Sequence, residues 1–458
     1  MSVIISLSVL GVLVLFLGIL IKIAWLLPVI FTGLLVSLGL TLLSWNRNVS
    51  LFNEMMIMDN YAVAFTAVMV FTTFLIFLFA GFYYRHVLRP LDDIFAILIF
   101  ALAGCVMMAS FGNLIILFIG IETLSIGLYV LAGSHKEAIT SNEATLKYFL
   151  MGSFLSGFLL FGIALVYGSS GSFNLHEISA YTGNHIDSVT PMFMTGLFLI
   201  IIGLAFKIAI FPFHFWAPDV YEGTPTLLTA FMATVVKTAS IVALYRLFSM
   251  AFPSINDTWE ITLGILAALT IIVGNLTGIY QPNLKRMLAY SSISHSGYMI
   301  LAVLAFSTYT SGALLLYSIS YSIATVTAFG ILILVRGIKG NDLFISFEGM
   351  ARQNPLEAFC LTIAMLSLTG IPPLAGFMAK YFLFTTAIEK GFLWLVIIAI
   401  LGSAVSAAYY FRPVISMYLK DGDGIKLEST LAFRMNIIFL TILTILLGFL
   451  PFLLMGLI

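Results

Sequence analysis

The sequence predicts an all-α polytopic membrane protein of about fourteen transmembrane helices, with two inverted five-helix repeats that each contain a broken helix. Three observations predict it. Of 458 residues, 61% are hydrophobic and only 9% are charged, where a soluble domain carries about 25% charged residues. The mean hydropathy is +1.13. The apolar residues fall into runs long enough to cross a lipid core, which takes about 20 residues each. The Lys and Arg residues between those runs gather in alternate loops.

In order, the runs are 2–21, 26–44, 60–84, 91–110, 112–132, 143–167, 191–223, 226–251, 260–280, 284–305, 311–336, 355–388, 392–418 and 433–457. No Lys or Arg precedes Lys22, so the first run lacks the basic flank of a cleaved signal and reads as a retained helix. Runs 191–223 and 355–388 are over-long and interrupted. The first contains Pro212 and Pro218, and the second contains Pro372 and Pro373. Proline frees helix carbonyls that lipid cannot satisfy. With span ends included, thirteen Lys and Arg residues follow odd-numbered spans and three, Arg246 among them, follow or flank even-numbered ones. Cytoplasmic loops hold the excess, so both termini are expected to face away from the cytoplasm.

Spans four to eight echo spans nine to thirteen. FGNL at 111–114 matches VGNL at 273–276, and Phe161-Gly162 matches Phe329-Gly330. Phe211-Pro212 matches Ile371-Pro372, and LYRLF at 244–248 matches YYFRP at 409–413. Five spans per copy would invert the second copy, as in secondary-transporter folds. The expected divisions are an N-terminal three-helix segment 1–90, a first repeat 91–251, a second repeat 260–418 and a last helix 433–458, each repeat forming a half-channel.

Zero net charge gives no polybasic surface for nucleic acid. Cys105 and Cys360 lie far apart inside apolar runs, so neither a disulfide framework nor a metal site follows. No haem-attachment motif, glycine-rich nucleotide loop, metal-ligand cluster or nucleophile–base triad is present. The expectation is a chain with no cofactor or metal of its own.

What remains is a set of ionisable groups inside apolar spans: Glu122, Lys147, Lys207, Lys237 and Lys380. A charge at mid-membrane costs roughly 2.5–3.5 kcal/mol on insertion scales, and such groups mark ion paths. The bland alternative is that the lysines snorkel to the headgroups. That competes for Lys147, near the end of its span, and not for Lys207 or Lys237. Lys237 lies roughly 16 Å into its span at 1.5 Å per residue, half of a core about 30 Å thick. Glu122 and Lys207 are expected to form an ion pair that can be made and broken. His295 is expected either to relay protons or to pack against Ser291, Ser292 or Ser294. His214, at the first break, is expected either to relay protons or to bond the freed carbonyls. These groups suggest a polar line along the membrane plane, with water filling the gaps.

The stretches FKIAIFPFHFWAPDVYEGTPTLLTAFMATVVKTA, NLKRMLAYSSISHSGY and GIPPLAGFMAKYFLF resemble the antiporter-like, proton-translocating subunits of respiratory complex I, relatives of multisubunit sodium/proton antiporter subunits. The resemblance covers nearly the whole chain. Within that family PDVYEGTP and the lysine of GFMAKYFLF are most similar to the N-type subunit of bacterial NADH-quinone oxidoreductase. The resemblance implies that Glu122 and Lys207 are the charge-switch pair and Lys147 a modulating lysine. It implies that Lys237 is the central relay and Lys380 the terminal lysine of the exit half-channel, with His214 and His295 in matching motifs. It also implies a bacterial inner (plasma) membrane with periplasmic termini. The implied neighbours are M-like and L-like antiporter subunits and a small K-type subunit. NADH, flavin, iron–sulfur clusters and quinone would be bound by partner subunits. Two rival readings are a subunit of a sodium/proton antiporter or membrane hydrogenase of the same superfamily, and an inactive membrane scaffold.

Overall fold

An apolar run in lipid must satisfy every backbone N–H and C=O internally, which a helix does. The computed structural model describes all residues except 21–22, 86–90, 187, 308 and 423–425. Lys22 and Arg89, two of the loop cations counted above, therefore lie outside the described residues. The order is α1 (Ser2–Leu20), α2 (Ile23–Leu42), a hairpin of β1 (Val49–Leu51) and β2 (Met56–Met58), α3 (Asn60–Tyr83), α4 (Asp92–Ser110), α5 (Leu114–Ala132) and α6 (Ile139–Ser170). Then come α7 (Leu175–Asn184), α8 (Pro191–Ile208), α9 (Trp216–Gly223), α10 (Thr226–Phe231), a π-turn at Met232–Val236, and α11 (Lys237–Ala251). The chain continues through α12 (Asn256–Ile279), α13 (Leu284–Leu304), α14 (Thr310–Lys339), α15 (Met350–Gln353), α16 (Pro355–Thr369), α17 (Ala375–Glu389), α18 (Leu393–Leu419), α19 (Leu431–Phe449) and α20 (Phe452–Met455).

Among the described residues thirteen helices are long and apolar enough to cross a membrane. The run 355–388 supplies the fourteenth segment as two shorter helices, α16 and α17. Both predicted interruptions are real: α8 stops at Ile208 before α9, and α16 stops at Thr369 before α17. The chain is thus an all-helical, multi-pass membrane protein.

Two compact units divide it. One comprises Met1–Phe71, Pro90–Trp216 and Val235–Ala267, the other Thr72–Arg89, Ala217–Thr234 and Ala268–Ile458. In the first, α6 packs on α8 and α4 on α5. Both crossings are made by reciprocal glycines. A Cβ on Gly162 would lie 2.7 Å from the Gly196 carbonyl oxygen, and one on Gly196 would lie 2.8 Å from that of Gly162. Gly104 and Gly120 face each other in the same way, at 2.7 and 3.0 Å. Small residues at such crossings let backbones touch where lipid supplies no hydrophobic drive. Gly196→Leu should therefore force α6 from α8. The expected result is less intact protein in membranes at equal expression, measured by detergent-resistant gel migration. In the second unit α14 is buried over nearly its whole length, surrounded by α13, α16, α17 and α19.

One local frame recurs in each unit. Asn113 caps α5, accepting from the Ile115 N–H at 2.8 Å, and the Leu114 N–H donates to the Phe173 carbonyl at 3.0 Å. Asn283 caps α13, accepting from the Arg286 N–H at 2.7 Å, and the Leu284 N–H donates to the Asp342 carbonyl at 2.9 Å. The long helices α6 and α14 end on left-handed glycines, Gly171 (φ 74°) and Gly340 (φ 76°), which need no Cβ. Arg246 donates to the carbonyls of Phe111 (2.8 Å) and Ala109 (3.3 Å). Arg412 donates to those of Gln281 and Ile279, both at 2.7 Å. The counterpart of FGNL is therefore the Asn283-Leu284 turn. VGNL at 273–276 lies inside α12, and its likeness to FGNL is one of letters only.

The breaks also correspond, one residue away from the expected register. Ala209 ends α8 in the left-handed region (φ 60°), its N–H returning to Ala205 and Phe206. Gly370 ends α16 (φ 90°), its N–H returning to Leu366 and Ser367. Aligning these caps sets Pro212 against Pro373, not Pro372.

Candidate functional site

Lys207 leaves α8 in its last turn, 6% exposed. Its ammonium donates to Ser125 Oγ on α5 at 2.6 Å. The rings of Phe206, Tyr129 and Tyr148 lie 5.2, 5.5 and 5.8 Å from the nitrogen, within cation–π range. The expected Glu122–Lys207 ion pair is not formed. The ammonium meets α5 one turn beyond Glu122, and Glu122 Oε1 is buried with no hydrogen-bond partner among the described residues.

The first break resolves its carbonyls without His214. Ala205 receives the N–H groups of Ala209 and Ile210, and Phe206 receives that of Ala209 and the Trp216 indole N–H at 3.1 Å. Trp216 is held by stacking on Tyr148, with centroids 4.7 Å apart. His214 is buried between Phe211 and Phe215, and its Nδ1 has no hydrogen-bond partner among the described residues. This corrects the expected carbonyl-bonding role: indole and backbone donors reach the carbonyls first.

Lys237 opens α11 directly after the π-turn and is 2% exposed. Single π-turns inside helices mark functional sites and misalign backbone bonds locally. Lys147 behaves differently. It pairs with Glu143, four residues earlier on α6, at 2.6 Å, with the two side chains 40% and 57% exposed. The burial that a membrane-plane relay requires is absent there, and the geometry matches a helix-surface pair.

In the second unit His295 is 4% exposed. Its ring nitrogens bond Tyr317 Oη at 2.7 Å and Tyr410 Oη at 3.2 Å, and Tyr410 Oη also bonds Ser291. Two tyrosines from α14 and α18 thus hold a ring for which sequence offered neighbouring serines. A void of about 10 Å³, lined by His295, Tyr317, Ser367 and Leu368 among others, joins this ring to the second break. That volume is about one water molecule's minimum.

Lys380, on α17, turns back onto that break. Its ammonium donates to the carbonyls of Leu368 (3.0 Å) and Thr369 (2.9 Å) and to Ser403 Oγ (2.8 Å). Those carbonyls are orphaned because the residues four further on are Pro372 and Pro373, which have no N–H. On its other side Lys380 lines a cavity of about 540 Å³ with Thr369, Tyr381, Phe384 and Ser403.

Sequence reasoning missed three features. Ser125 sits three residues after Glu122, on the same helical face, and that spacing was available. Arg246, counted with a loop, is 2% exposed and paired with Asp59 at 3.0 Å. Lys285, also counted as a loop cation, is 0% exposed and donates to the carbonyls of Glu222 (3.0 Å) and Thr224 (2.5 Å). Beside it Arg286 pairs with Asp219 (2.9 Å) and Glu222 (2.6 Å).

A predominantly helical membrane chain with buried lysines at two helix breaks is the architecture of an antiporter-like ion-translocating subunit. The chain belongs to the NADH:quinone oxidoreductase/Mrp antiporter transmembrane family, whose model matches residues 112–406. It is 38% identical to NADH-quinone oxidoreductase subunit N of Flavobacterium psychrophilum over 451 residues, covering 98% of both chains. It is 40% identical to that subunit of Cytophaga hutchinsonii over 460 residues, again covering 98% of both. Among solved structures it matches a chain of respiratory complex I from Thermus thermophilus with a TM-score of 0.85 and 32% identity, over 99% and 98% of the two chains. A chain of the Mrp complex from Dietzia matches at TM-score 0.87 and 20% identity, over 100% and 96%, which shows the shared fold alone.

Proposed function

We propose that this chain is a proton-translocating membrane subunit of an NADH-quinone oxidoreductase, of the subunit N type. The observation that carries the reading is the placement of Lys207, Lys237 and Lys380, each at most 6% exposed, at a helix break or π-turn. Charges in such positions are retained for transport. Lys207 with Ser125 and Glu122 would serve one half of the path. His295, its tyrosines and Lys380 would serve the other, with the 540 Å³ cavity as the exit vestibule and Lys237 as the relay between halves. His214 and Lys147 are assigned lesser parts, His214 as a ring at the break whose Nδ1 lacks a partner among the described residues and Lys147 as a modulating charge beside Glu143. The repeats 91–251 and 260–418 are read as the two half-channels. Electron transfer would take place on partner subunits holding NADH, flavin, iron–sulfur clusters and quinone. M-like and L-like antiporter subunits and a K-type subunit are the membrane neighbours. The chain would lie in the bacterial inner membrane with both termini periplasmic. Full-length coverage of the subunit N relatives favours this over a sodium/proton antiporter or hydrogenase subunit.

Lys237→Ala tests it against an inactive scaffold. In inside-out vesicles with equal amounts of assembled complex, proton pumping driven by NADH should fall by about tenfold or more. Pumping at the wild-type rate sinks the relay. Copurification in mild detergent should bring down flavin and iron–sulfur subunits, and their absence would remove the complex I assignment.

A further inference from the structure

We infer that Ser125 is a second seat for the Lys207 ammonium, a positioning residue that holds it off Glu122 between transfers. The inference rests on the proton-transport reading above and deepens it. Among the described residues the ammonium has one hydrogen-bond partner, Ser125 Oγ at 2.6 Å. The direction of that bond is fixed. Ser125 spends its only proton on the Ile121 carbonyl of its own helix, so its lone pairs face the lysine and it can only accept. Ser125 is fully buried, so no bulk solvent substitutes for it.

One turn back on α5, Glu122 Oε1 is buried and unpartnered. An orphaned buried carboxylate oxygen is unfavourable, and Lys207 interacts with Glu122 electrostatically. Residues three apart on a helix are face neighbours, so the two acceptors lie side by side before one flexible four-carbon stem. The rings of Tyr129 and Tyr148 lie 5.5 and 5.8 Å from the ammonium nitrogen. The ammonium therefore has two exclusive positions. On Glu122 it is neutralised by a carboxylate. On Ser125 its hydrogen-bond partner is a neutral hydroxyl oxygen. Without the Ser125 hydroxyl the lysine loses the acceptor it uses here, and Glu122 is expected to hold it.

The test compares Ser125→Ala, Ser125→Thr and Glu122→Gln in the assembled complex, in inside-out vesicles, reading pumping together with NADH oxidation. Threonine keeps a hydroxyl that makes the same backbone bond one turn back. The expected result is that Ser125→Ala pumps about tenfold less at normal assembly, while Ser125→Thr recovers most of the loss. Wild-type pumping by Ser125→Ala overturns the inference, and so does equal impairment of Ala and Thr, which would mean packing alone. If the alanine variant fails to assemble, Ser125→Cys decides, since a thiol of similar size is a poor acceptor: impaired pumping supports the seat and normal pumping removes it. Glu122→Gln separates the two levels. Impairment there with normal Ser125→Ala removes only the seat, whereas normal pumping in both removes the proton-transport role of this half.

Discussion

Replacing Arg246 with leucine is expected to destabilise the first unit by about 3–5 kcal/mol, the usual result of breaking a buried ion pair from one side. The guanidinium is 2% exposed and spends its planar donors completely. Two go to Asp59, at 3.1 and 3.0 Å. The others reach the carbonyls of Phe111 (2.8 Å), Ala109 (3.3 Å) and Ile57 (3.3 Å). Its face is covered by Tyr61, whose hydroxyl donates to the Val242 carbonyl at 3.0 Å. One side chain thus ties α11 to the end and C-cap of α4 and to the β-hairpin. Leucine would take the guanidinium's donors from three carbonyls and break the ion pair with Asp59, which keeps the Ala62 N–H at 2.8 Å. The measurement is the temperature at which the detergent-solubilised complex loses this subunit on a native gel, which should fall sharply. Lysine should recover only part of the loss, because a single ammonium cannot reproduce a planar fork. Asp59→Asn should be milder, because Asp59 is 33% exposed and water can answer what the mutation exposes. A wild-type temperature for Arg246→Leu would show that the network contributes nothing.

That arginine also marks where sequence reading stops. The spans were legible because a run of about 20 apolar residues has one solution in lipid. The breaks were legible because proline has no N–H, and both fall where Pro212 and Pro372-Pro373 stand. The register of the repeat was not legible. What recurs is a backbone arrangement, an arginine donating to two carbonyls before a capped helix, and four-letter likeness such as FGNL and VGNL does not encode it. Burial of Arg246 and Lys285 was hidden for a related reason. Each stands at a span end, where a cation normally reaches water, and only the carbonyls gathered around it show that it turns inward. Lys207 bonds α5 at Ser125, a single turn from Glu122. Depth along a span can be counted from residues, but the level at which an unwound helix end meets its neighbour depends on how the break is capped. For His214 the competing donor was Trp216, two residues away, whose reach to Phe206 depends on that same cap.

The second large effect is expected at Lys380, and two substitutions separate its possible roles. Methionine matches the length of the side chain and removes both the charge and the three donors. Leu368 then loses the donor that answers its carbonyl, at about 1–3 kcal/mol for a buried orphan. Thr369 keeps the Ser403 hydroxyl at 2.9 Å. Lys380→Met should therefore lower the amount of assembled subunit and also reduce pumping per assembled complex by about tenfold or more. Glutamine keeps amide donors for the break and no titratable proton. If the lysine both braces the break and passes protons into the 540 Å³ cavity, Lys380→Gln should restore assembly toward wild type while pumping remains low. If it is only a brace, glutamine should restore both, and the exit role falls. The two functions are compatible because of how the ammonium is held. Three donors meet three neutral acceptors, and a deprotonated amine has only two donors to offer. A proton released from Lys380 would thus give up one of the contacts that fix α17 against the end of α16 or against Ser403 of α18. If Lys380 carries protons, their movement and the geometry of the break are coupled through the same nitrogen, and the variant that spares the break and the variant that does not should part company in pumping assays normalised to assembled protein.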